Sequence, residues 1–245
     1  MICNSTAPIL LLVGWAILPT SFSDTATEVL PSQKASLTFK MVVTGESPYP
    51  MDDRKNLSVH CGGGKGVLIS PHWVLTASHC ITSRKAKAGD VKVRFTTSKR
   101  KPATIGVNKV LRHATKDLAL LRLVRPVKMD DRPPVLLLRQ TLNREDGKLL
   151  IKKVAGKETW RNIPAIGGKD NLRVPKKEDR RGKAGSSGGP WLIHSEKVGD
   201  VLIGITHGGG YAPQVAYAAN WIQESVRKHS NDQLLWATKN QTLGK

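Results

Sequence analysis

The sequence predicts an all-β protein with one C-terminal α-helix. Three observations carry that expectation. From Met41 onward, short apolar runs alternate with Gly, Pro, Asn and Asp, the pattern of many short strands joined by turns. One late stretch, Ala219 to Lys228, has helical spacing instead, with Trp221, Ile222 and Val226 on a shared face. The third is size: 245 residues with a hydrophobic fraction of 39% suffice for one large domain or two small ones and argue against wholesale disorder.

The strands expected in order are Val67 to Ile69, Trp73 to Leu75, Val91 to Phe95, Leu118 to Leu123 and Val135 to Leu138. Leu149 to Val154, Val201 to Ile205 and Gln214 to Ala218 follow. After His229 the chain reads as a polar tail with a small apolar island, Leu234 to Trp236. No internal repeat is evident.

The N-terminus reads as an export signal. Ala7 to Pro19 is apolar but short for a bilayer span. Ser21 and Ser23 give small residues for a peptidase site, so a mature chain would begin near Asp24. An uncleaved anchor is the alternative, because no Lys or Arg precedes the run. Residues 24–40 are polar and read as a leader or disordered arm. The expected localisation is secreted or periplasmic, with no transmembrane segment in the mature chain.

Three cysteines are present. Removing Cys3 with the signal leaves Cys61 and Cys80, an even count that suggests one disulfide in an oxidising compartment. Two buried free thiols are the alternative.

Charge adds a separate inference. The chain has 39 basic and 19 acidic residues, a net charge of +20. Such a surface attracts anionic partners: nucleic acid, acidic glycans, anionic lipid or acidic protein. Basic clusters fall at Lys99 to Lys101, at Lys152 and Lys153, and at Lys176, Lys177, Arg180 and Arg181. Asn56-Leu57-Ser58 and Asn240-Gln241-Thr242 match a glycosylation pattern.

Three segments point to chemistry. They are Gly66 to Cys80, Lys116 to Leu123, and Gly185-Ser186-Ser187-Gly188-Gly189-Pro190. A serine hydroxyl is a weak nucleophile that needs a base within hydrogen-bond reach. Ser187 lies in a Gly-rich turn, where backbone N–H groups can approach a substrate. His79 is the candidate base. Asp117 opens an apolar run, as suits a carboxylate at the mouth of a buried strand, where it would fix the histidine tautomer. Taken singly, these are ordinary residues: a lone His is usually structural, and Gly-Ser-Ser-Gly-Gly alone reads as a flexible loop.

Together, in the order His, Asp, Ser, they resemble the trypsin/chymotrypsin family of serine peptidases. Leu75 to Cys80 is similar to its histidine word, Asp117 to Leu121 to its aspartate word, and Gly185 to Pro190 to its nucleophile word. Val201 to Gly209 resembles the pocket-lining strand, and Asn220 to Gln223 the C-terminal helix. The similarity runs from about Met41 to His229.

The resemblance implies two six-stranded antiparallel β-barrels, residues 41–130 and 131–229, with the active site in the cleft between them. It implies an endopeptidase using His79, Asp117 and Ser187, with an oxyanion hole from the N–H groups of Gly185 and Ser187. Protein or peptide substrates, a monomer and no metal or cofactor are expected. The competing reading is an inactive protease-fold protein that binds anionic glycans or nucleic acid.

Four departures qualify the resemblance. Ser186 precedes the nucleophile where many animal members carry Asp, so activation without an N-terminal ion pair is expected. Cys61 falls three residues early and Gly64 takes the usual cysteine place; a bulge at Gly62 to Gly64 would restore the bridge to Cys80. Arg181, six residues before Ser187, replaces an acidic pocket floor. With Lys183, His207, Gly208 and Gly209 it suits an acidic substrate side chain; the alternative has Arg181 facing solvent. The charged loop Lys169 to Lys183 is either a cleft rim or a solvated loop.

Overall fold

The computed structural model describes residues 39–43, 64–81, 88–95, 103–127, 135–155, 159–175, 186–208 and 210–244. The expected signal peptide and most of the leader lie outside them. So do Cys61, Arg181, Lys183, Gly185 and Gly209.

The first barrel has strands β1 (Phe39–Val43), β2 (Lys65–Ser70), β3 (Trp73–Thr76), β4 (Val91–Phe95), β5 (Ala103–Arg112) and β6 (Ala119–Leu123). It closes in the order β1-β2-β3-β6-β5-β4, and every pairing is antiparallel. Burial explains two sequence patterns. β4 alternates, with Val91, Val93 and Phe95 inside and Lys92 and Arg94 outside, as a strand with one wet face should. β2 and β3 are buried throughout because both of their faces are covered. Ile205, Val215, Ile222, Val226 and Leu234 join their core cluster from later in the chain.

The second half has β7 (Leu136–Leu138), β8 (Lys148–Ala155), β9 (Thr159–Gly167), β10 (Asn171–Arg173), β11 (Pro190–Ser195), β12 (Gly199–Ile205), β13 (Tyr211–Pro213) and β14 (Trp236–Ala237). β13-β10-β9-β8-β11-β12 form an antiparallel run of neighbours. An antiparallel bridge between Gly204 and Gln214 brings its ends together, reinforced by Val215 N–H donating to Ile203 O at 3.0 Å. The six strands β8 to β13 thus curl into the expected second barrel. β7 and β14 add to it through parallel pairings, a feature the expected purely antiparallel topology lacks. Gln214 is fully buried and bonds Leu142 N, Leu142 O and Gly168 O.

Gln214 to Ala218, expected as a strand, keeps only that bridge. It then turns into a 3₁₀ segment at Ala216–Ala218 leading into helix α1 (Ala219–His229). Val215 and Ala218 are apolar because they are buried at this turn, not because they alternate in a sheet. Arg227, Lys228 and His229 occupy the last turn of α1, where positive charge complements the helix dipole. Among the described residues, no helix is long and apolar enough to cross a membrane.

The segment after His229, expected as a polar tail, is folded. It supplies β14 and helix α2 (Lys239–Leu243), which opens with a Thr238/Gln241 capping box. Asp232 clasps the β2–β3 turn: its Oδ2 accepts from Ser70 Oγ at 2.8 Å and His72 N at 2.9 Å, and its Oδ1 stands 3.0 Å from His72 Nδ1. Trp73 Nε1 donates to Ser230 Oγ at 2.9 Å.

Burial alone would raise the Asp232 pKa, but the donors from His72 and Ser70 outweigh it and hold it low. A carboxyl with a depressed folded pKa stabilises the fold above its unfolded value and loses that contribution as pH falls through the folded one. Asp232→Asn should therefore cost about 1–3 kcal/mol at neutral pH and little in strong acid. Urea denaturation of both proteins from neutral to acid pH checks this; an equal cost at every pH would contradict it.

Candidate active site

Asp117 sits at the end of a tightly tied loop. His113 N–H donates to Leu118 O at 2.9 Å, and His113 Nδ1 accepts from the N–H groups of Thr115 and Lys116 at 3.2 and 3.1 Å. The ring nitrogen is therefore an acceptor. This fits a His113 pKa lowered by burial and by the Lys116 charge. Lys116 pairs with Asp170 of the second barrel and lies 4.3 Å from the Tyr217 ring centroid. The loop is thus held from both barrels just before Asp117.

His79 lies in a 3₁₀ turn, Ser78–Cys80, directly after β3. Its N–H donates to Asp117 Oδ1 at 2.8 Å, and its Nδ1 meets Asp117 Oδ2 at 2.5 Å. The side chains are 42% and 18% exposed respectively, so the imidazole faces the cleft and the carboxylate lies behind it. Burial would raise the Asp117 pKa, but the His79 ring, the His207 ring and the His79 N–H bring it down to about 2. The His79 pKa is raised to about 10, by its bond to Asp117 first and by Cys80 second. Both contacts favour the imidazolium over the neutral ring.

His207, expected in the substrate pocket, stands beside the His79–Asp117 pair. Its Nδ1 bonds the same Asp117 Oδ2 that His79 uses. The two rings meet edge-on, centroids 5.4 Å apart. Gly208, with φ of 146°, follows in the hairpin to β13, where His207 N donates to Tyr211 O and Tyr211 N to Gly208 O, each at 3.0 Å. The register that drew attention to His207 was informative. Nothing local in the sequence shows that Asp117, 90 positions away, is its partner.

Ser187 stands on a turn fixed by backbone contacts. Lys65 N donates to Ser187 O at 2.7 Å, Gly188 N to Thr206 O at 2.8 Å, Gly189 N to Ser186 O at 3.0 Å and Thr206 N to Gly189 O at 2.8 Å. Trp191 Nε1 donates to Thr206 Oγ1 at 3.0 Å. Lys65 and Thr206 were not anticipated, since their part is played by main chain. His79 Nε2 faces Cys80 Sγ at 3.9 Å, not Ser187 Oγ. Catalytic hydrogen bonds often close only when substrate is present.

Cys80 is a free, buried thiol, and its expected partner Cys61 lies outside the described residues. A Cβ at Gly64 would lie 2.5 Å from Cys80 Cβ, well inside the roughly 3.8 Å of a disulfide. Gly64 occupies the place opposite Cys80 and packs closer than a cystine allows.

Residues 42–159 match the trypsin family model, a match that supports a trypsin/chymotrypsin-like serine peptidase. His79 and Asp117 fall within the matched span and Ser187 beyond it. A similar solved structure is neuropsin, a serine protease expressed in the limbic system of mouse brain. It is 19% identical, with 66% of this chain and 88% of that chain covered and a TM-score of 0.49.

Gly188 is the tightest point of the site. Its φ is +76°, and a Cβ there would stand 2.0 Å from Lys65 O. Gly199 has a similar φ of +79° but open space around it. Gly199→Ala should cost about 1–2 kcal/mol for its left-handed backbone. Gly188→Ala should cost at least about 2 kcal/mol more, because a backbone oxygen must move. Urea titration of the two variants measures the difference; equal costs would refute the steric account.

Proposed function

We propose that this chain is a secreted serine endopeptidase acting through an acyl-enzyme on Ser187. The observation that carries the reading is the His79–Asp117 pair, hydrogen-bonded at 2.5 Å beside the Lys65 edge on which the Ser187 turn docks. Asp117 holds the Nδ1–H tautomer, leaving Nε2 as the base once the ring turns from Cys80.

Ser187 Oγ then attacks the peptide carbonyl carbon while its proton passes to His79 Nε2. The oxyanion is received by the N–H groups of Gly185 and Ser187. His79 returns the proton to the leaving amine, and water attacks the acyl-enzyme by the same route. The ion-paired Asp117 stabilises the imidazolium in both halves. No metal or cofactor enters these steps.

A preference for acidic side chains rests on Arg181 and Lys183, six and four residues before Ser187. His207 is engaged by Asp117 and contributes less to the pocket than its register alone implies. The net charge of +20 would concentrate a monomeric enzyme on anionic surfaces outside the cell or in a periplasm.

A second reading, an inactive protease-fold protein binding anionic ligands, is favoured by one observation: His79 Nε2 rests against Cys80 instead of Ser187. A serine-directed phosphonate and a peptide library separate the two. The peptidase reading expects an adduct on Ser187, cleavage after Asp or Glu, and a loss of about a thousandfold or more in Ser187→Ala. Absence of an adduct, together with unchanged cleavage in Ser187→Ala, would remove it.

A further inference from the structure

His79, Asp117 and His207 carry a second chemistry. Each offers one ligand atom, and these atoms lie within 4.8 Å of one another. The two imidazole Nδ1 atoms converge on one carboxylate oxygen, Asp117 Oδ2. The rings are perpendicular, with an interplanar angle of 90°, so their in-plane lone pairs approach from different directions. A tetrahedral ion asks for such divergence.

The donor set selects the ion. Two imidazoles and one carboxylate suit zinc, whereas magnesium and calcium favour all-oxygen shells. Three protein ligands leave a fourth position for water. On a tetrahedral zinc, neighbouring ligand atoms stand about 3.3 Å apart, so the imidazoles must draw back slightly from Asp117. They are free to do so: the His79 and His207 side chains are 42% and 53% exposed, while Asp117 at 18% is the fixed base of the cluster. Their exposure also gives the ion a path from solvent.

We propose that His79, Asp117 and His207 form a zinc site, and that zinc bound there inhibits the peptidase. The ion takes the Nδ1 and carboxylate oxygen that otherwise hold His79 in its catalytic tautomer, and its charge opposes a proton on the same ring. His207 makes the difference: without it the cluster is an ordinary His–Asp pair, of which the chain has another in His194 and Asp200 at 2.8 Å.

Zinc binding does not depend on the peptidase reading; inhibition does. Binding is therefore measured first, without substrate, by titrating zinc into the chelator-stripped Ser187→Ala protein against a chromophoric chelator. One ion per chain is expected. Affinity should fall at least about a hundredfold, more than loss of an outer-shell partner usually brings, in His207→Ala and in Asp117→Asn, and should hold in His194→Ala. Unchanged affinity in His207→Ala, or an equal loss in His194→Ala, would overturn the site. Should His207→Ala not fold, the absorption spectrum of cobalt in the Ser187→Ala protein decides. Intense tetrahedral bands are expected, and a weak octahedral spectrum would overturn the proposal. With binding established, zinc should abolish wild-type cleavage and a chelator should restore it; full activity with the ion bound would refute the inhibitory role.

Discussion

The backbone of Lys65 is the constraint on which the cleft depends. Its N–H holds Ser187 O, and its carbonyl accepts from Thr76 Oγ1 at 2.6 Å. That same carbonyl leaves no room for any side chain at Gly188. Lys65 begins β2 of the first barrel, and the Ser187 turn leads into β11 of the second. One residue therefore ties the two barrels together at Ser187. Buried backbone groups must find partners: Lys65 N–H and Ser187 O find theirs across the seam, while the Lys65 carbonyl is held by Thr76 of its own barrel. A shift in either half would leave that seam donor and acceptor unpaired, at a cost of about 1–3 kcal/mol for each.

Asp117 imposes the matching constraint from the other side of the cleft. A carboxylate oxygen has two lone pairs, and Oδ2 meets two imidazoles. Both lower its pKa, so Asp117 stays ionised despite its burial. The bond to Asp117 raises the His79 pKa and favours its imidazolium. Cys80 adds to that effect through Nε2. The site thus gains a firmly ionised acid at the expense of a readily available base. The Lys116 pairing with Asp170 keeps this loop anchored while the half-exposed rings move, so adjustment at the site falls on the histidines and not on the carboxylate.

The C-terminal segment closes the two barrels into one body. Asp232 and Ser230 hold the β2–β3 turn of the first barrel. Leu235 O and Ala237 O accept from Leu137 N and Arg139 N of the second. Ser195 Oγ donates to Gln241 O at 2.5 Å. Trp236 Nε1 donates to Gln223 Oε1 of α1 at 2.7 Å. A segment of mostly polar residues can fold in this way because its hydrogen bonds go to other elements. Its apolar residues are few because only Leu234, β14 and Leu243 reach the two core clusters. Its polarity is thus the mark of a belt, and composition alone cannot tell a belt from a loose tail.

What was legible in the sequence follows from the range of the interactions involved. Trp73 to Leu75, Val91 to Phe95 and Val201 to Ile205 were readable as strands because apolar patterning is local. α1 was readable because Trp221, Ile222 and Val226 repeat at helical spacing. Thr159–Gly167 was missed: polar Arg161 and Asn162 interrupt its apolar pattern, and the strand is defined by its pairing with β8. The His79 and Asp117 words were legible for the same local reason, each lying at the end of a buried run. The link between Asp117 and His207 was not, because two barrels must close before those residues meet. Cys80 shows the limit most clearly. Counting cysteines suggested a bridge to Cys61, whereas among the described residues it is Gly64 that faces the Cys80 side chain, and no count of side chains contains that. Short-range words identify the parts of this site, while backbone contacts across the seam decide which parts touch.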